Sequence, residues 1–372
     1  MDLEVAIIGA GVIGLQVARA LALSGKKDIA IFEKNIYPGE HSSSRNSGVL
    51  HAGIYYPANS LKQKLCLEGN RLWEKLAKDL DISIMRTGKF IVATDSETED
   101  EELERLYQFV LEKRVPGIRR ATSQELETLS KYVKVSSAFF SETTGVISVS
   151  EAIKALQDDL FKRDIPLLLH QPITELRKKG NDSESPGEFH FRVGEDTISA
   201  KKVINCAGLH SVEVRKMLGL NNLEARWVKG RYLKLNKKFY TDSLIYPLPK
   251  KDLKGLGVHT SFDFDKVVRF GPDTEDVDAS TLTPDYSLDN AVIAAMHPAI
   301  DKVFKNISLS DLTVDYAGIR SKIVDAQTGN PIPDFIIDSP LPGYLECLGI
   351  ESPGLTASPA ITNRVISLLK VS

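Results

Sequence analysis

Residues 3–34 read LEVAIIGAGVIGLQVARALALSGKKDIAIFEK, and the order of residue types in this stretch decides the fold. Val5 to Ile8 form a short apolar run typical of a buried parallel strand, and apolar residues then recur at helical spacing until Gly25. The segment DIAIFEK predicts a second strand. Strand, tight turn, helix and strand in this order predict a βαβ unit at the start of an α/β protein.

Three glycines, Gly9, Gly11 and Gly14, form the pattern G-x-G-x-x-G at the turn between the first strand and the helix. The first two permit a tight turn and a close backbone approach to a pyrophosphate, and the third lets the helix pack on the strand. Glu33 ends the second strand, where a carboxylate accepts ribose hydroxyls and repels a 2′-phosphate. The turn therefore predicts a site for NAD or FAD, not NADP, without distinguishing the first two.

The composition excludes several classes of protein. With 372 residues, 42% hydrophobic and 26% charged, the chain is typical of a globular protein with one large or two moderate domains. A formal net charge of −3 provides no basic surface for nucleic acid. We therefore expect small-molecule partners, and peripheral contact with a membrane through a small surface patch stays open.

The cysteines and the N-terminal stretch indicate the cellular compartment of the protein. Cys66, Cys206 and Cys347 are far apart and odd in number, which predicts neither a disulfide framework nor a metal or iron–sulfur site. The apolar N-terminal stretch contains glycines and polar residues and lacks a basic leader, so we expect no integral membrane span and no signal or transit peptide. These observations predict a cytoplasmic protein in a reducing environment.

Patterns further along the chain predict the remaining helices. Helical periodicity covers residues 60–80 and 356–369. Ser123 starts another helix, and Ser148 starts a fourth with a capping box to Glu151.

Predicted strands fall between these helices. Apolar or alternating runs cover residues 89–95, 166–176, 188–198 and 201–208, and the region 227–316 is strand-rich and broken by glycine and proline. This order favours a nucleotide-binding fold that sheet insertions interrupt and the last segment completes. We predict an α/β protein with a discontinuous Rossmann-type domain and an inserted, mainly antiparallel β-sheet substrate domain. The predicted boundaries are 1–80, 145–220 and 325–372 for the first domain and 81–144 and 221–324 for the second.

A series of motifs along nearly the whole chain resembles one enzyme family. The motifs are, in order, GAGVIG…IFEK, SSSRNSGVLHAGIYYPANSLKQKLC, VINCAGLHS, IYPLPKKDLKGLGVH, RFGPD, YAGIRSK and GIESPGLTASPAI. They resemble the FAD-dependent L-2-hydroxyglutarate dehydrogenases, within the D-amino-acid-oxidase-like superfamily of glycine oxidase, sarcosine oxidase and glycerol-3-phosphate dehydrogenase. Arg45 and the segment 263–265 depart from the family pattern, which leaves the exact hydroxy acid open.

The resemblance implies FAD, with its adenine end at Gly9 to Glu33 and its flavin at the interface of two domains. A closing helix that begins near Leu355 would aim free backbone N–H groups at the flavin's pyrimidine edge, where negative charge accumulates on reduction. Ile173 is placed beside the adenine by the resemblance alone, and an apolar strand residue is otherwise core. The predicted cofactor-binding residues are Gly9, Gly11, Val12, Ile13, Gly14, Glu33, Lys34, Ser44, Arg45, Asn46, Ser47, Gly48, Ile173, Ala207, Gly208, Arg320, Gly349, Gly354, Leu355 and Thr356.

Oxidation of an alcohol requires removal of the hydroxyl proton together with the hydride, and histidine is suited to that task near neutral pH. His51 and His259 both lie in family-like motifs, so either is a candidate base, although a lone histidine in a strand is commonly structural. Arg320 in YAGIRSK can form a bidentate pair with a substrate carboxylate.

Four more residues are candidate substrate contacts. Arg231 or Lys62 could bind a second carboxylate, and the alternative for each is a surface charge. Tyr55 would face the substrate, and Tyr246 is either a hydroxyl donor over the ring or a packed aromatic.

The expected reaction is oxidation of L-2-hydroxyglutarate, or a close 2-hydroxy acid, to the 2-oxo acid by hydride transfer from C2 to flavin N5. The electron acceptor stays open among a quinone, oxygen and another protein. One alternative is an FAD-dependent amine or amino-acid oxidase or glycerol-3-phosphate dehydrogenase of the same fold. Another is a flavin-binding regulatory module without turnover. No metal site is predicted, and motifs for hydrolysis or phosphoryl transfer are missing from the sequence.

Overall fold

A core of five parallel strands has the N-terminal strand at its centre. The computed structural model describes residues 2–94, 97–179, 188–239, 241–249 and 257–370, so part of the IYPLPKKDLKGLGVH motif lies outside the described residues. The strands are β1 Asp2–Ile8, β2 Ile29–Phe32, β3 Val49–Leu50, β4 Ile84–Met85, β5 Lys89–Ala93, β6 Ile118–Arg120, β7 Ser137–Ser141, β8 Gly145–Ile147, β9 Leu167–Leu168, β10 Ile173–Lys179, β11 Glu188–Val193, β12 Asp196–Asn205, β13 Leu223–Leu235, β14 Leu244–Pro247, β15 His259–Phe262, β16 Val268–Gly271, β17 Glu275–Val277, β18 Leu312–Asp325, β19 Pro331–Ile332, β20 Ile336–Leu341 and β21 Tyr344–Leu348. The helices are α1 Val12–Leu23, α2 Leu61–Leu80, α3 Glu97–Glu112, α4 Ser123–Ser130, α5 Val149–Phe161, α6 Ser211–Met217, α7 Ala291–Val303 and α8 Gly354–Leu369.

The first sheet has β1 at its centre, paired in parallel with β2 on one side and β12 on the other. β9 extends the parallel pairing beyond β2, and β21 pairs in parallel with the second half of β12. The antiparallel strands β11 and β20 pair with β12 and β21, and β10 pairs with β11. The sequence prediction of a Rossmann-type α/β fold is confirmed by this topology.

Both faces of β1 are buried, as expected for a central parallel strand. Val5 and Ile7 pack on one face against α1, α2, α5 and α8, while Ala6 and Ile8 pack on the other against apolar residues of β10, β11 and α6. The last helix therefore lies directly beside the first, although 330 residues lie between Leu23, where α1 ends, and Gly354, where α8 begins.

A second, antiparallel sheet has the order β15-β16-β13-β18-β19, with β17 also paired to β13. Its longest ladder joins β13 to β18 and sets Gly230 opposite Gly318 and Val228 opposite Arg320. Two smaller sheets have the strand orders β14-β5-β7-β6 and β3-β8-β4. The predicted domain boundaries remain a prediction.

Most predicted elements are confirmed, and three details differ. The region 227–316 also contains α7, and α3 lies in a region without a sequence prediction, because both helices are amphipathic segments between strands that pattern alone did not separate. The capping box at Ser148 is not formed, since Glu151 accepts a hydrogen bond from the backbone N–H of Ser83 at 2.7 Å instead.

Close packing of α2 on α8 leads to a stability prediction. A Cβ atom added to Gly69 would lie 2.2 Å from the carbonyl oxygen of Thr356 and 2.8 Å from Cα of Ala357, and both are backbone atoms that cannot move alone. We expect Gly69→Ala to lower the free energy of unfolding by about 1–3 kcal/mol, measured by denaturant titration. Lys64→Ala, on the exposed face of α2, is the control, and an unchanged midpoint for Gly69→Ala would contradict this account of the packing.

Candidate functional site

A cavity of about 790 Å³ lies between the two large sheets. Its walls come from the turn after β1, the turn after β12, strands β13 and β18, and the segment that leads into α8. Because the carboxyl ends of β1 and β12 open into it, the cavity occupies the position where sheets of this type bind ligands.

The glycine turn brings backbone to the cavity wall. Gly9 has φ +101°, and a Cβ there would lie 2.5 Å from the carbonyl oxygen of Cys206. A Cβ on Gly14 would lie 2.0 Å from the carbonyl oxygen of Gly9, so this glycine allows α1 to start directly against β1. The N-terminus of α1 thus faces the cavity, and Ser43 Oγ accepts the N–H of Val12 at 3.0 Å.

Glu33 holds the turn with both carboxylate oxygens. Oε2 accepts the N–H of Ala10 at 2.8 Å, and Oε1 accepts the N–H of Asn35 at 2.9 Å. Each oxygen keeps a second lone pair for a ligand hydroxyl. Next to it, Lys34 Nζ lies 3.0 Å from Nε2 of His210, and burial lowers the pKa of both groups.

The loop from residue 41 to 48 is held by its own side chains. Asn46 donates to the carbonyl oxygens of Ser42 and Ser43, and its Oδ1 accepts the N–H of Gly48 at 2.8 Å. His41 Nδ1 lies 2.9 Å from the hydroxyl of Tyr286, while its buried Nε2 has no hydrogen-bond partner among the residues that the structure describes. This orphaned nitrogen belongs to a cavity-lining residue and is available to a bound ligand.

The N-terminus of α8 forms another part of the wall. Ser352, Pro353, Gly354 and Leu355 line the cavity, and within the described part of the chain no side chain caps the first turn. Uncapped N–H groups at a helix N-terminus carry partial positive charge. Thr356 faces away from the cavity, where its Oγ1 accepts the N–H of His51 at 2.9 Å and donates to the carbonyl oxygen of Val49.

Both predicted histidines line the cavity. His51 Nε2 lies 3.2 Å from Ser352 Oγ, and burial, with the charges of Lys89 and His259, lowers the pKa of His51 to about 3. His259 is stacked on Tyr246, and its Nδ1 lies 2.8 Å from the carbonyl oxygen of Gly257. Burial is the main reason that the pKa of His259 is also about 3. Both imidazoles are therefore neutral at pH 7.

The candidate cations differ in their partners. Lys62 and Lys322 line the cavity, but both are paired with Glu351, at 2.9 and 3.1 Å. Arg231 does not line the cavity, and its guanidinium pairs with Asp273 and Glu275. Arg320 lines the cavity, and in the described part of the chain no carboxylate lies within ion-pair distance of it.

Strand geometry explains the placement of Arg231. Side chains alternate between the two faces of a strand. Gly230 and Tyr232 of β13 line the cavity, so Arg231 between them projects from the opposite face. This placement gives no support to the predicted contact of Arg231 with the substrate. Tyr246 is fully buried beside His259 and does not line the cavity either.

Most of the sequence-predicted residues are brought together at this cavity. Those that line it are Gly9, Gly11, Val12, Ile13, Glu33, Lys34, Arg45, Asn46, Ser47, His51, Tyr55, Lys62, Ile173, Ala207, Gly208, His259, Arg320, Gly354 and Leu355. Those that do not are Gly14, Ser44, Gly48, Arg231, Tyr246, Gly349 and Thr356.

Sequence reasoning missed several lining residues. Tyr56 directly follows the predicted Tyr55, and Ser352 lies inside the quoted GIESPGL motif, so both had a signal in the sequence. His210 lies inside the quoted VINCAGLHS motif and had a signal too, whereas His41 and Tyr232 had none, because only the tertiary structure brings them to the wall.

Two further features concern membranes and metals. None of the helices in the described residues combines the length and the apolar character needed to cross a bilayer. The same described residues contain no group of three or more histidine, cysteine or acidic side chains placed so that they could hold a metal ion.

The fold and the cavity place the chain in the class of dinucleotide-binding proteins of the Rossmann type. Residues 4–367 match the DAO family, described as FAD dependent oxidoreductase. The chain belongs to this family, and FAD is its cofactor. The glycine cradle, the orphaned His41 nitrogen and the two helix N-termini at one cavity fit an elongated dinucleotide.

Individual relatives act on different substrates. The mitochondrial L-2-hydroxyglutarate dehydrogenase of Arabidopsis thaliana is 30% identical to this chain, and the alignment covers 97% of this chain and 82% of that protein. The glycerol 3-phosphate dehydrogenase of Caloramator mitchellensis is 28% identical, and the alignment covers 99% of this chain and 74% of that protein. An FAD-bound L-alpha-glycerophosphate oxidase structure from Mycoplasma pneumoniae superposes with a TM-score of 0.85 at 24% identity, covering 100% of this chain and 95% of its own.

Proposed function

We propose that this protein oxidises L-2-hydroxyglutarate, or a close 2-hydroxy acid, to the 2-oxo acid with FAD as its cofactor. The observation that carries the proposal is the pairing of chemistries in one cavity: Arg320 is a cation without a carboxylate partner in the described residues, and His51 is a neutral imidazole. The guanidinium suits a substrate carboxylate, and the unprotonated imidazole offers a nitrogen lone pair to a hydroxyl proton.

Residues at the ends of the strands of the first sheet, and at the N-termini of the helices that pack on it, would hold the cofactor. The α1 N-terminus would bind the pyrophosphate, Glu33 the ribose, and the α8 N-terminus the pyrimidine edge of the flavin. When bound, FAD supplies the acceptor for a hydride and its electron pair. The uncapped turn of α8 would stabilise negative charge at that edge.

His51 would accept the hydroxyl proton at one ring nitrogen. Because burial keeps the imidazole neutral, a nitrogen lone pair is free at physiological pH. Ser352 Oγ, 3.2 Å from Nε2, would orient the ring. His259 has its Nδ1 beside the Gly257 carbonyl oxygen and lines the same wall, so it remains the second candidate for the base.

A second candidate function is oxidation of glycerol 3-phosphate, because a protein of that name is a relative and a phosphate suits the same free guanidinium. An amine oxidase of the same fold would not need a base at the cavity wall, because a neutral amine has no hydroxyl proton to be removed.

Anaerobic reduction of the bound flavin tests the proposal. We expect the purified protein to be yellow and L-2-hydroxyglutarate to bleach its visible absorbance, with D-2-hydroxyglutarate, glycerol 3-phosphate and glycine bleaching much more slowly. Faster bleaching by glycerol 3-phosphate would support the second candidate instead. A yellow protein that no hydroxy acid, phosphate ester or amino acid of the panel bleaches would contradict a catalytic role.

A further inference from the structure

Lys89 is a buried lysine next to the candidate substrate site. It begins β5 and is 1% exposed, whereas lysine is almost never fully buried unless it is paired. Its ammonium nitrogen lies 4.9 Å from the ring centre of Tyr55 and 4.4 Å from that of Tyr246. No carboxylate in the described ranges lies within ion-pair distance of it.

The titratable groups around Lys89 lie on four neighbouring parts of the chain. His51 and Tyr55 follow β3, Cys66 lies on α2, Tyr246 lies on β14, and His259 begins β15. Arg320 of β18 adds its positive charge at His259. None of these groups is acidic at neutral pH, because burial raises the pKa of the two tyrosines and of Cys66 well above neutrality.

Besides two neutral imidazoles, this wall of the site therefore holds the basic groups Lys89 and Arg320, with no resident counter-charge among the described residues. The rings of Tyr55 and Tyr246 offer only the weak attraction of π faces, which does not replace a carboxylate. A buried ammonium without a counter-ion is costly, so burial lowers the pKa of the amine until an anion arrives nearby. His51, Tyr55 and His259 connect this wall to the cavity.

We propose that Lys89 is a proton-accepting group of the substrate site, mostly neutral above pH 7 while the site is empty and converted to an ammonium when an anionic substrate binds. The role rests on the proposed function, which supplies the anion. Burial, opposed by Cys66, lowers the pKa of Lys89 to about 7, and a bound carboxylate would raise it again. Binding of a dicarboxylate above pH 7 would therefore take up a proton from solvent, and the second charge of the substrate would be matched without a permanent buried cation.

Calorimetric titration of the FAD-loaded protein with glutarate tests the inference. Glutarate is a dicarboxylate without the oxidisable hydroxyl, so it binds without turnover. Titrations at pH 8 in two buffers of different ionisation enthalpy give the number of protons taken up, which we expect to lie between about one half and one per ligand. At pH 5.5, where Lys89 is already charged, we expect almost none.

Two variants assign the proton. Lys89→Met should abolish the uptake at pH 8 and weaken glutarate binding at pH 7 about tenfold. Lys89→Arg keeps a permanent charge, so it should bind glutarate with almost no uptake. Lys113→Met is the matched control, because Lys113 is a second lysine with a pKa lowered by burial, to about 8, and it donates to the carbonyl oxygens of Ile54 and Tyr56.

The outcomes separate the inference from the proposed function. Uptake that persists in Lys89→Met, or that disappears in Lys113→Met, overturns the assignment to Lys89. A wild-type protein that is bleached by L-2-hydroxyglutarate but takes up no proton on binding glutarate overturns this inference alone. A protein that neither binds glutarate nor is bleached overturns both proposals.

Discussion

Replacing His51 with alanine should lower kcat/KM for L-2-hydroxyglutarate at least about a hundredfold, because a positioned general base contributes about 10²–10⁴ to the rate. The fold should tolerate the change. The backbone of His51 is held independently of its imidazole, by Thr356 Oγ1 at its N–H and by Asn70 Nδ2 at its carbonyl oxygen. Anaerobic stopped-flow reduction of the flavin measures the loss without interference from the electron acceptor.

The controls for His51→Ala separate chemistry from structure. His190→Ala removes a histidine that is paired with Glu188 on β11, away from the cavity, and should leave the rate unchanged. Added imidazole should restore part of the lost rate only in His51→Ala. A loss of less than about tenfold would favour His259 as the base, or oxidation of a C–N bond, which needs no alkoxide-forming step.

The pH profile gives a second test of His51. Its pKa of about 3 lies below the ordinary value of 6.5, so the unprotonated form dominates at neutral pH and is lost only as the pH falls through about 3. We therefore expect kcat/KM to show no acid-side loss near pH 6.5 from this group. If kcat/KM of the wild type did fall below about pH 6.5, and this fall were missing in His51→Ala, the imidazole would titrate normally in the site.

Replacing Arg320 with leucine should lower kcat/KM for the hydroxy acid about a hundredfold, mainly through KM. A bidentate pair with a carboxylate consists of two hydrogen bonds to a charged group, each about 1.5 kcal/mol or more, and 1.4 kcal/mol is a factor of ten. Arg320→Lys keeps the charge but loses the planar fork, so its loss should be intermediate, about tenfold. Steady-state kinetics with a saturating acceptor measure both constants.

Two other arginines of the same sheet calibrate the Arg320 result. Arg226 on β13 is exposed and paired with Asp276, so Arg226→Leu should be nearly silent. Arg231→Leu tests the sequence prediction against the structure, since its guanidinium is already paired with Asp273 and Glu275. A larger effect at Arg231 than at Arg320 would contradict the assignment of the carboxylate site.

The sequence by itself determined the βαβ unit and the chemistry of its turn. β1, the turn at Gly9 and α1 depend on residues that are neighbours along the chain, and backbone conformations such as φ +101° at Gly9 require glycine locally. Ser60 likewise caps α2 at the predicted position, where its side chain accepts the N–H of Gln63. His51 and Arg320 were also identified as candidate residues, because they lie in motifs that resemble a known family.

The tertiary structure decided which candidates share a site. Arg231 and Tyr232 are adjacent in sequence, but a strand turns them to opposite faces, and only the pairing of β13 with β18 shows which face meets the cavity. Lys62 is engaged by Glu351, 289 residues away. No sequence pattern distinguishes Lys89 from the other lysines, yet it is only 1% exposed in the structure. Burial, register and charge pairing arise from residues far apart in the chain, and local patterns carry no information about them.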